Sequence, residues 1–238
     1  MTAAELRRRD LARIADLVPR GSRVLDLGCG DGTLLALLRD TREADVHGVE
    51  LDLANVAECV RRDIPVVQFD IDEGLPDFAD GSFDIVVLSQ TLQVVRRPAL
   101  VLREMLRVGK RGIVSFPNFG HWKARAYLTF RGRMPMSRSI PYSWYDTPNI
   151  HLTTLKDFRA FVAANGGHIE QELPLATSRG GHQHEVALWP NLFADTGVAV
   201  VCAGAPAPRT AVRGTSQATC CGYDVDRARR TYEHGSHR

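Results

Sequence analysis

Short apolar runs alternate with leucine-rich or amphipathic stretches along the first half of the chain. Five runs of four to six residues, bounded by polar or glycine positions, predict β-strands at residues 23–27, 46–49, 66–69, 83–88 and 111–116. The stretches between them predict helices at residues 33–40, 55–62 and 98–108, the last with proline in its first turn. This alternation predicts a parallel sheet with helices on both faces.

The second half of the chain is less regular. Thr154 and Asp157 have the spacing of a helix start, with the helix running to about Asn165. Residues 168–173 and 198–202 predict two closing strands. The expected architecture is therefore an α/β fold with a mostly parallel, seven-stranded sheet.

Residues 117–151 predict a loop-rich insertion after the fifth strand. The insertion carries Trp122, Trp144, five Lys or Arg, two His and one acid, Asp146. Ligands bind at the carboxyl ends of parallel strands, so this insertion is a candidate lid or partner surface.

Composition separates a domain from a tail. The chain has 238 residues with 30 Lys and Arg against 28 Asp and Glu, a balance that predicts neither a nucleic-acid nor a membrane partner. Residues 204–238 are rich in small and polar residues, with six arginines and three acids. We expect one domain at 1–203 and a disordered tail at 204–238.

Two further features bear on the cell compartment. The sequence has neither a secretory signal nor an apolar run of ~18 to 20 residues, and its five cysteines form no CxxC pair. We therefore expect a cytoplasmic protein with reduced thiols.

The sharpest motif is DLGCGDG at residues 26–32, which lies between the first strand and the first helix. Its glycines permit a tight turn, and the helix N-terminus beyond offers unpaired N–H groups to a ligand. Glu50, about twenty residues later, can accept hydrogen bonds from a ribose. The motif differs from the G-x-G-x-x-G spacing of a dinucleotide fingerprint, and Leu34, rather than a glycine, follows two places after Gly32. The alternative to a ligand-binding loop is a strand-to-helix turn with a purely structural role.

The motif resembles that of the class I S-adenosylmethionine-dependent methyltransferases, an acid followed by three alternate glycines. The resemblance implies a Rossmann-like fold and S-adenosylmethionine or S-adenosylhomocysteine as the cofactor. It implies a ribose contact for Glu50 and an adenine contact for Asp70. The cofactor-binding residues implied in all are Asp26, Gly28, Cys29, Gly30, Gly32, Glu50, Asp70, Ile71, Ser89 and Gln90.

A more specific resemblance, over about residues 23–203, is to the MetW family of methionine biosynthesis proteins. It is carried by RVLDLGCGDGTLL, FDIDEGLPDF, FDIVVLSQTLQ, GIVSFPNFGHWKAR and RGRMP. The resemblance implies a methyltransferase-like protein that acts beside a homoserine O-acyltransferase. The tail lies outside it.

No residue pattern identifies a methyl acceptor, so the catalytic residues are unknown. The acid or base candidates are His121, His151, Tyr142 and Tyr145. For His121 the alternative is packing beside Trp122. Gln90 and Gln93, after the fourth strand, are expected near the methionine end of the cofactor.

Three other groups have competing interpretations. His182 and His184 are two residues apart, which on a strand would place both side chains on one face, as in a metal site. No third ligand is recognisable in the sequence, so we expect no metal. Cys29 is interpreted as a small filler. Three arginines of the insertion, Arg131, Arg133 and Arg138, have two interpretations. Together with Trp144 and Tyr145 they could bind an anionic ligand or an acidic protein partner, or they could lie on a solvated loop.

Two functions follow from these observations. One is an activating or regulatory subunit of a homoserine O-acyltransferase, and the other is a free-standing methyltransferase of a small molecule. A cofactor site without an acceptor signature favours the subunit.

Overall fold

The computed structural model describes residues 11–137, 140, 142–178 and 182–204. Five strands form the parallel part of the sheet: β1 (Arg23–Leu27), β2 (Asp45–Glu50), β3 (Val66–Gln68), β4 (Phe83–Ser89) and β5 (Gly109–Pro117). The helices of this half are α1 (residues 11–17), α2 (Thr33–Arg42), α3 (Leu53–Arg61) and α4 (Pro98–Val108). The predicted strand–helix alternation is confirmed.

The second half adds an antiparallel edge to the sheet. Its elements are α5 (Trp122–Arg131), α6 (Leu155–Ala164), β6 (Gly167–Thr177), β7 (Gln183–Glu185), α7 (Pro190–Phe193) and β8 (Thr196–Ala203). β8 pairs antiparallel with both β5 and β6, so the strand order is β3-β2-β1-β4-β5-β8-β6-β7. The order reverses between β1 and β4, and such a switch point opens a crevice at the carboxyl ends of the strands.

Each face of the sheet has its own hydrophobic core. Successive residues of β4 alternate between the two cores, because neighbouring side chains on a strand point to opposite faces. One core packs α4 and α6 onto the sheet, with Phe116 and Phe158 stacked 4.5 Å apart between ring centroids. The other core packs α1, α2 and Cys59 of α3. Both faces of β1, β2, β4 and β5 are therefore covered, as predicted, whereas the edge strand β3 has no buried residue.

Two predictions about the elements are wrong. The described sheet has eight strands rather than seven, because β6 extends to Thr177 and pairs with the polar segment Gln183–Glu185. The loop-rich insertion contains a helix, α5, in which only Ala124 is buried. Neither element has an apolar periodicity, so the hydrophobic pattern did not indicate either.

The start of α6 is as predicted. Thr154 and Asp157 form a capping box in which each side chain accepts a hydrogen bond from the other's backbone N–H. Apart from Gly204, the predicted tail lies outside the described residues, so the domain boundary at 203 stays a prediction. Within the described ranges, no helix has the length and apolar character needed to cross a membrane.

Candidate functional site

A cleft of about 350 Å³ opens at the carboxyl ends of the strands on both sides of the switch point. Its walls come from the glycine loop, the ends of β2 and β3, and the segment after β4. The lining residues are Gly28, Val49, Glu50, Leu51, Asp52, Phe69, Asp70, Ile71, Asp72, Thr91, Val94 and Val95.

The glycine loop forms one wall of this cleft. The N–H groups of Gly28 and Cys29 both donate to the carbonyl of Val49, which fastens the loop to β2. Gly28 has a φ of 73°, and a Cβ there would lie 2.8 Å from Cγ2 of Thr91. A Cβ on Gly30 would meet nothing within 4 Å. The space beside Gly30 is therefore open to a ligand. Position 28 requires glycine because a Cβ there would clash with Thr91, which follows β4.

Glu50 is held at the mouth of the loop by three backbone N–H groups. Its Oε2 accepts from Gly30 at 2.7 Å, and its Oε1 accepts from Leu51 at 3.0 Å and Asp52 at 2.9 Å. The side chain is 9% exposed. A carboxylate has about four lone-pair sites, and these three N–H groups fill two sites on Oε1 and one on Oε2. Oε2 can therefore still accept a hydroxyl group of a ligand.

Asp26, at the end of β1, is almost fully buried behind the loop, and its Oδ1 has no hydrogen-bond partner among the described residues. Burial, aided by the nearby charge of Glu50, raises the pKa of this carboxyl to about 7. A buried acceptor without a partner costs free energy. Asp26 is therefore suited to pair with a cationic or hydrogen-donating group of a ligand.

The opposite wall is apolar with acids at its rim. Phe69 and Ile71 lie beside Asp70, whose Oδ1 accepts from the N–H of Asp72 and begins a short 3-10 turn. The carboxylate of Asp72 accepts from the N–H groups of the β4–α4 connection. Four carboxylates line the described cleft and no Lys or Arg does, so the cleft favours a ligand with positive charge.

At the end of β4, the wall is made by Thr91, Val94 and Val95 rather than by Ser89 and Gln90. Gln90 has a left-handed φ of 54°, and its N–H donates to the carbonyl of Ser115. The amide of Gln93 donates to the carbonyl of Gln90 at 2.8 Å. Both glutamines thus shape the turn behind the wall.

Cys29 points away from the cleft. Its Sγ lies 3.8 Å from Sγ of Cys59, and Cys59 donates to the carbonyl of Gly30 at 3.2 Å. Burial, as the largest cause, raises the pKa of both thiols. Both are therefore protonated fillers rather than nucleophiles, as expected for Cys29. Gly32 has a left-handed φ of 73°, and a Cβ there would lie 3.0 Å from Sγ of Cys59.

The acid or base candidates are not equivalent. His121 caps α5, with Nδ1 accepting from the N–H of Lys123, and burial lowers the pKa of His121. Its ring centroid lies 6.0 Å from that of Trp122. His121 therefore packs beside Trp122, which is the alternative to a catalytic role.

Tyr142 and Tyr145 are exposed. His151 has a buried Nε2 without a described partner, and its N–H donates to the carbonyl of Gln93.

The remaining candidates lie away from the cleft lining. His182 and His184 are exposed, and within the described ranges no three His, Cys, Asp or Glu side chains are grouped to hold a metal ion. Arg131 and Arg133 are exposed at the end of α5. Arg138 lies outside the described residues.

The structure brings Gly28, Glu50, Asp70 and Ile71 together, with Asp26 behind them. Sequence reasoning missed the rest of the lining. Leu51, Asp52 and Phe69 were detectable, since each adjoins a predicted strand end. Thr91, Val94 and Val95 carry no such signal, because only the packing of the β4–α4 connection against the glycine loop brings them to the cleft.

Similarity to solved structures defines the fold class. The structure superposes with a TM-score of 0.61 on a SAM-dependent methyltransferase from Thermotoga maritima, at 18% identity and covering 84% of this chain and 92% of that one. It matches the magnesium protoporphyrin IX methyltransferase of Synechocystis with bound S-adenosylhomocysteine at a TM-score of 0.54 and 18% identity, covering 83% and 81% of the chains. The fold is that of the S-adenosylmethionine-dependent methyltransferases.

The sequence comparison is more specific. The family profile described as "Methionine biosynthesis protein MetW" matches residues 8–201. The chain belongs to the MetW family. It is also 38% identical over 198 residues to the "Bifunctional methionine biosynthesis protein MetXA/MetW" of Rhodopirellula baltica. That match covers 79% of this chain but spans only about a third, 32%, of the length of the relative.

Proposed function

We propose that this chain binds S-adenosylmethionine or S-adenosylhomocysteine in the cleft and acts in methionine biosynthesis as an activating or regulatory subunit of a homoserine O-acyltransferase. The observation that carries the subunit proposal is the relative whose name joins MetXA and MetW in one chain.

The chemistry of the cleft supports the cofactor. S-adenosylmethionine carries a sulfonium and an ammonium. Four carboxylates, with no Lys or Arg among the described lining residues, favour such a cation over a pyrophosphate. Oε2 of Glu50 would accept a ribose hydroxyl, and Phe69 and Ile71 would pack on the adenine. Asp26 and the open backbone at Gly30 would face the methionine end. The bound cofactor supplies the transferable methyl group if transfer occurs.

The partner follows from the family rather than from the cleft. The MetW-like part of the Rhodopirellula baltica protein occupies a third of that chain. Proteins that act together are expected to tolerate covalent fusion, because fusion raises their effective concentration. We infer that the two proteins also associate when they are separate chains. The partner that the MetW resemblance implies for this chain is a homoserine O-acyltransferase.

A sensing role would unite the cofactor and the partner. S-adenosylmethionine is made from methionine, the end product of the pathway, so its occupancy of the cleft reports methionine supply. A ligand changes the activity of a partner only through different affinities for two states of the complex. The cofactor should therefore change either the affinity for the acyltransferase or its rate.

The test is co-expression with the homoserine O-acyltransferase of the same organism, followed by size-exclusion chromatography and an acylation assay with and without S-adenosylmethionine. We expect co-elution and an acylation rate that depends on this chain. A matched Glu50→Gln variant should co-elute but lose the response to the cofactor. Separate elution together with unchanged acylation would refute the subunit proposal.

The second candidate is a free-standing methyltransferase of a small molecule. It is favoured by the methyltransferase fold and by the buried, unpartnered Nε2 of His151 beside the β4 turn. Incubation of the purified chain with methyl-labelled S-adenosylmethionine and a metabolite extract distinguishes the two. Labelled product that disappears in a His151→Ala variant would establish the enzyme.

A further inference from the structure

The insertion between β5 and α6, residues 118–154, carries an unusual concentration of exposed apolar side chains. Phe130 is 86% exposed, Tyr145 76% and Trp144 73%. The N–H of Phe119 donates to the carbonyl of Thr153 at 3.0 Å, so the insertion leaves and returns at one point. The insertion is therefore anchored at one point at the carboxyl end of β5.

A second exposed group lies at the base of the insertion. Asn118 is buried, and its Nδ2 donates to the carbonyls of Asn191 and Ala194 at 3.2 and 2.7 Å, which binds α7 to the insertion. Trp189, which precedes α7, has a left-handed φ of 50° and a largely exposed side chain. Strained residues that keep a large side chain in solvent are typical of functional surfaces.

We propose that these two groups form a docking face for the homoserine O-acyltransferase, an inference that rests on the proposed function. The docking face consists of Trp122, Leu128, Phe130, Trp144, Tyr145 and Trp189, with Arg131 and Arg133 at its edge. Trp, Tyr and Arg are the residue types that dominate interface energetics. The partner surface is apolar with an acidic rim.

The charge of the face selects this occupant over two others. The insertion, residues 118–154, contains five Lys or Arg and one acid, Asp146. A second copy would bring the same basic surface against itself in a two-fold interface, which is repulsive. Residues 205–238 carry six arginines against three acids, so this part of the chain has the same sign. A partner with acidic groups complements the face.

The arrangement of α5 favours a protein over a lipid surface. A helix that lies on a membrane gathers its apolar residues on one stripe. At 3.6 residues per turn, Trp122, Tyr127, Leu128 and Phe130 are spread over roughly two thirds of the helix circumference. Such a helix is buried by a concave partner that contacts several of its sides.

The insertion that carries most of the docking face is bonded to the turn beside the cofactor cleft. The carbonyl of Gln93 accepts from the N–H groups of Ile150 and His151 at 2.9 and 3.1 Å. Gln93 is followed by Val94 and Val95, which line the cleft. A turn shared by the docking insertion and the cleft wall gives a direct route by which cofactor occupancy acts on the partner.

The experiment measures binding of the full chain to the purified acyltransferase by calorimetry. The double variant Phe130→Ser, Trp144→Ser should bind roughly tenfold more weakly or worse, and Arg131→Glu, Arg133→Glu should bind more weakly with a reduced dependence on salt. Val60→Ser, an exposed position on α3, is the matched control and should bind like wild type. All variants should retain the wild-type unfolding midpoint and affinity for S-adenosylhomocysteine.

The outcomes separate this inference from the proposed function. If wild type fails to bind the acyltransferase, the proposed partnership is wrong and the docking face falls with it. If wild type binds and both face variants bind equally well, the partnership stands and the docking face is wrong. Wild-type binding to phosphatidylcholine–phosphatidylserine vesicles or to a single-stranded oligonucleotide that both face variants abolish would also overturn it.

Discussion

We expect Asp26 to make binding of the proposed cofactor depend on pH. Burial raises the pKa of this carboxyl to about 7 in the ligand-free protein, and a cationic ligand binds the ionised form. From that pKa, Asp26 is about one tenth ionised at pH 6 and about three quarters ionised at pH 7.5. The Kd of S-adenosylhomocysteine, whose α-amino group stays mostly protonated in this range, should therefore be roughly eightfold larger at pH 6.

The same shift affects stability with a defined sign. An unfolded Asp titrates near ~3.9, so between about pH 4 and pH 7 the folded state holds one more proton than the unfolded state. The contribution of Asp26 to stability therefore falls as pH rises through this window, by at most about 1.4 kcal/mol per unit. Asp26→Asn should be more stable than wild type at pH 7.5 and yet bind the ligand more weakly.

Calorimetry at pH 6 and 7.5 and urea unfolding at the same pH values test both effects. Asp26→Asn should show a flat pH profile for binding. Asp52→Asn, which replaces an exposed carboxylate at the cleft mouth by a residue that can still cap α3, should keep the wild-type profile. The same pH dependence in Asp26→Asn as in wild type would show that another group is responsible.

Three further predictions concern the site and its support. Glu50→Gln removes the charge proposed to accept a ribose hydroxyl and should weaken S-adenosylhomocysteine binding about tenfold or more by calorimetry; equal affinity would contradict the site. Gly28→Ala should destabilise the fold by about 1–3 kcal/mol more than Gly30→Ala in urea unfolding, because only the Gly28 Cβ contacts Thr91. Asn118→Ala leaves buried backbone groups unpaired, so it should cost about 3 kcal/mol; an unchanged midpoint would refute that role.

The accuracy of the strand predictions has a simple cause. Four of the parallel strands, β1, β2, β4 and β5, are covered on both faces, so their residues read as largely apolar runs. The edge strand β3 is more exposed. α4 was predicted at its observed bounds because it buries one face and begins with proline. α5 has no such signal. His121 caps it at one end and Gly132, with a φ of 60°, at the other, so local hydrogen bonds rather than burial define this helix.

The sequence by itself determined the α/β class, the glycine loop, Glu50 and Asp70 as cofactor candidates, and the MetW resemblance, because each rests on local spacing. Only the tertiary structure decided that Thr91, Val94 and Val95 line the cleft and that Asp26 is buried with no partner for its Oδ1 among the described residues. Only it showed that the insertion returns to its starting point with its aromatic residues exposed. These properties depend on contacts between residues far apart in the chain, and on solvent exclusion, which no local pattern records.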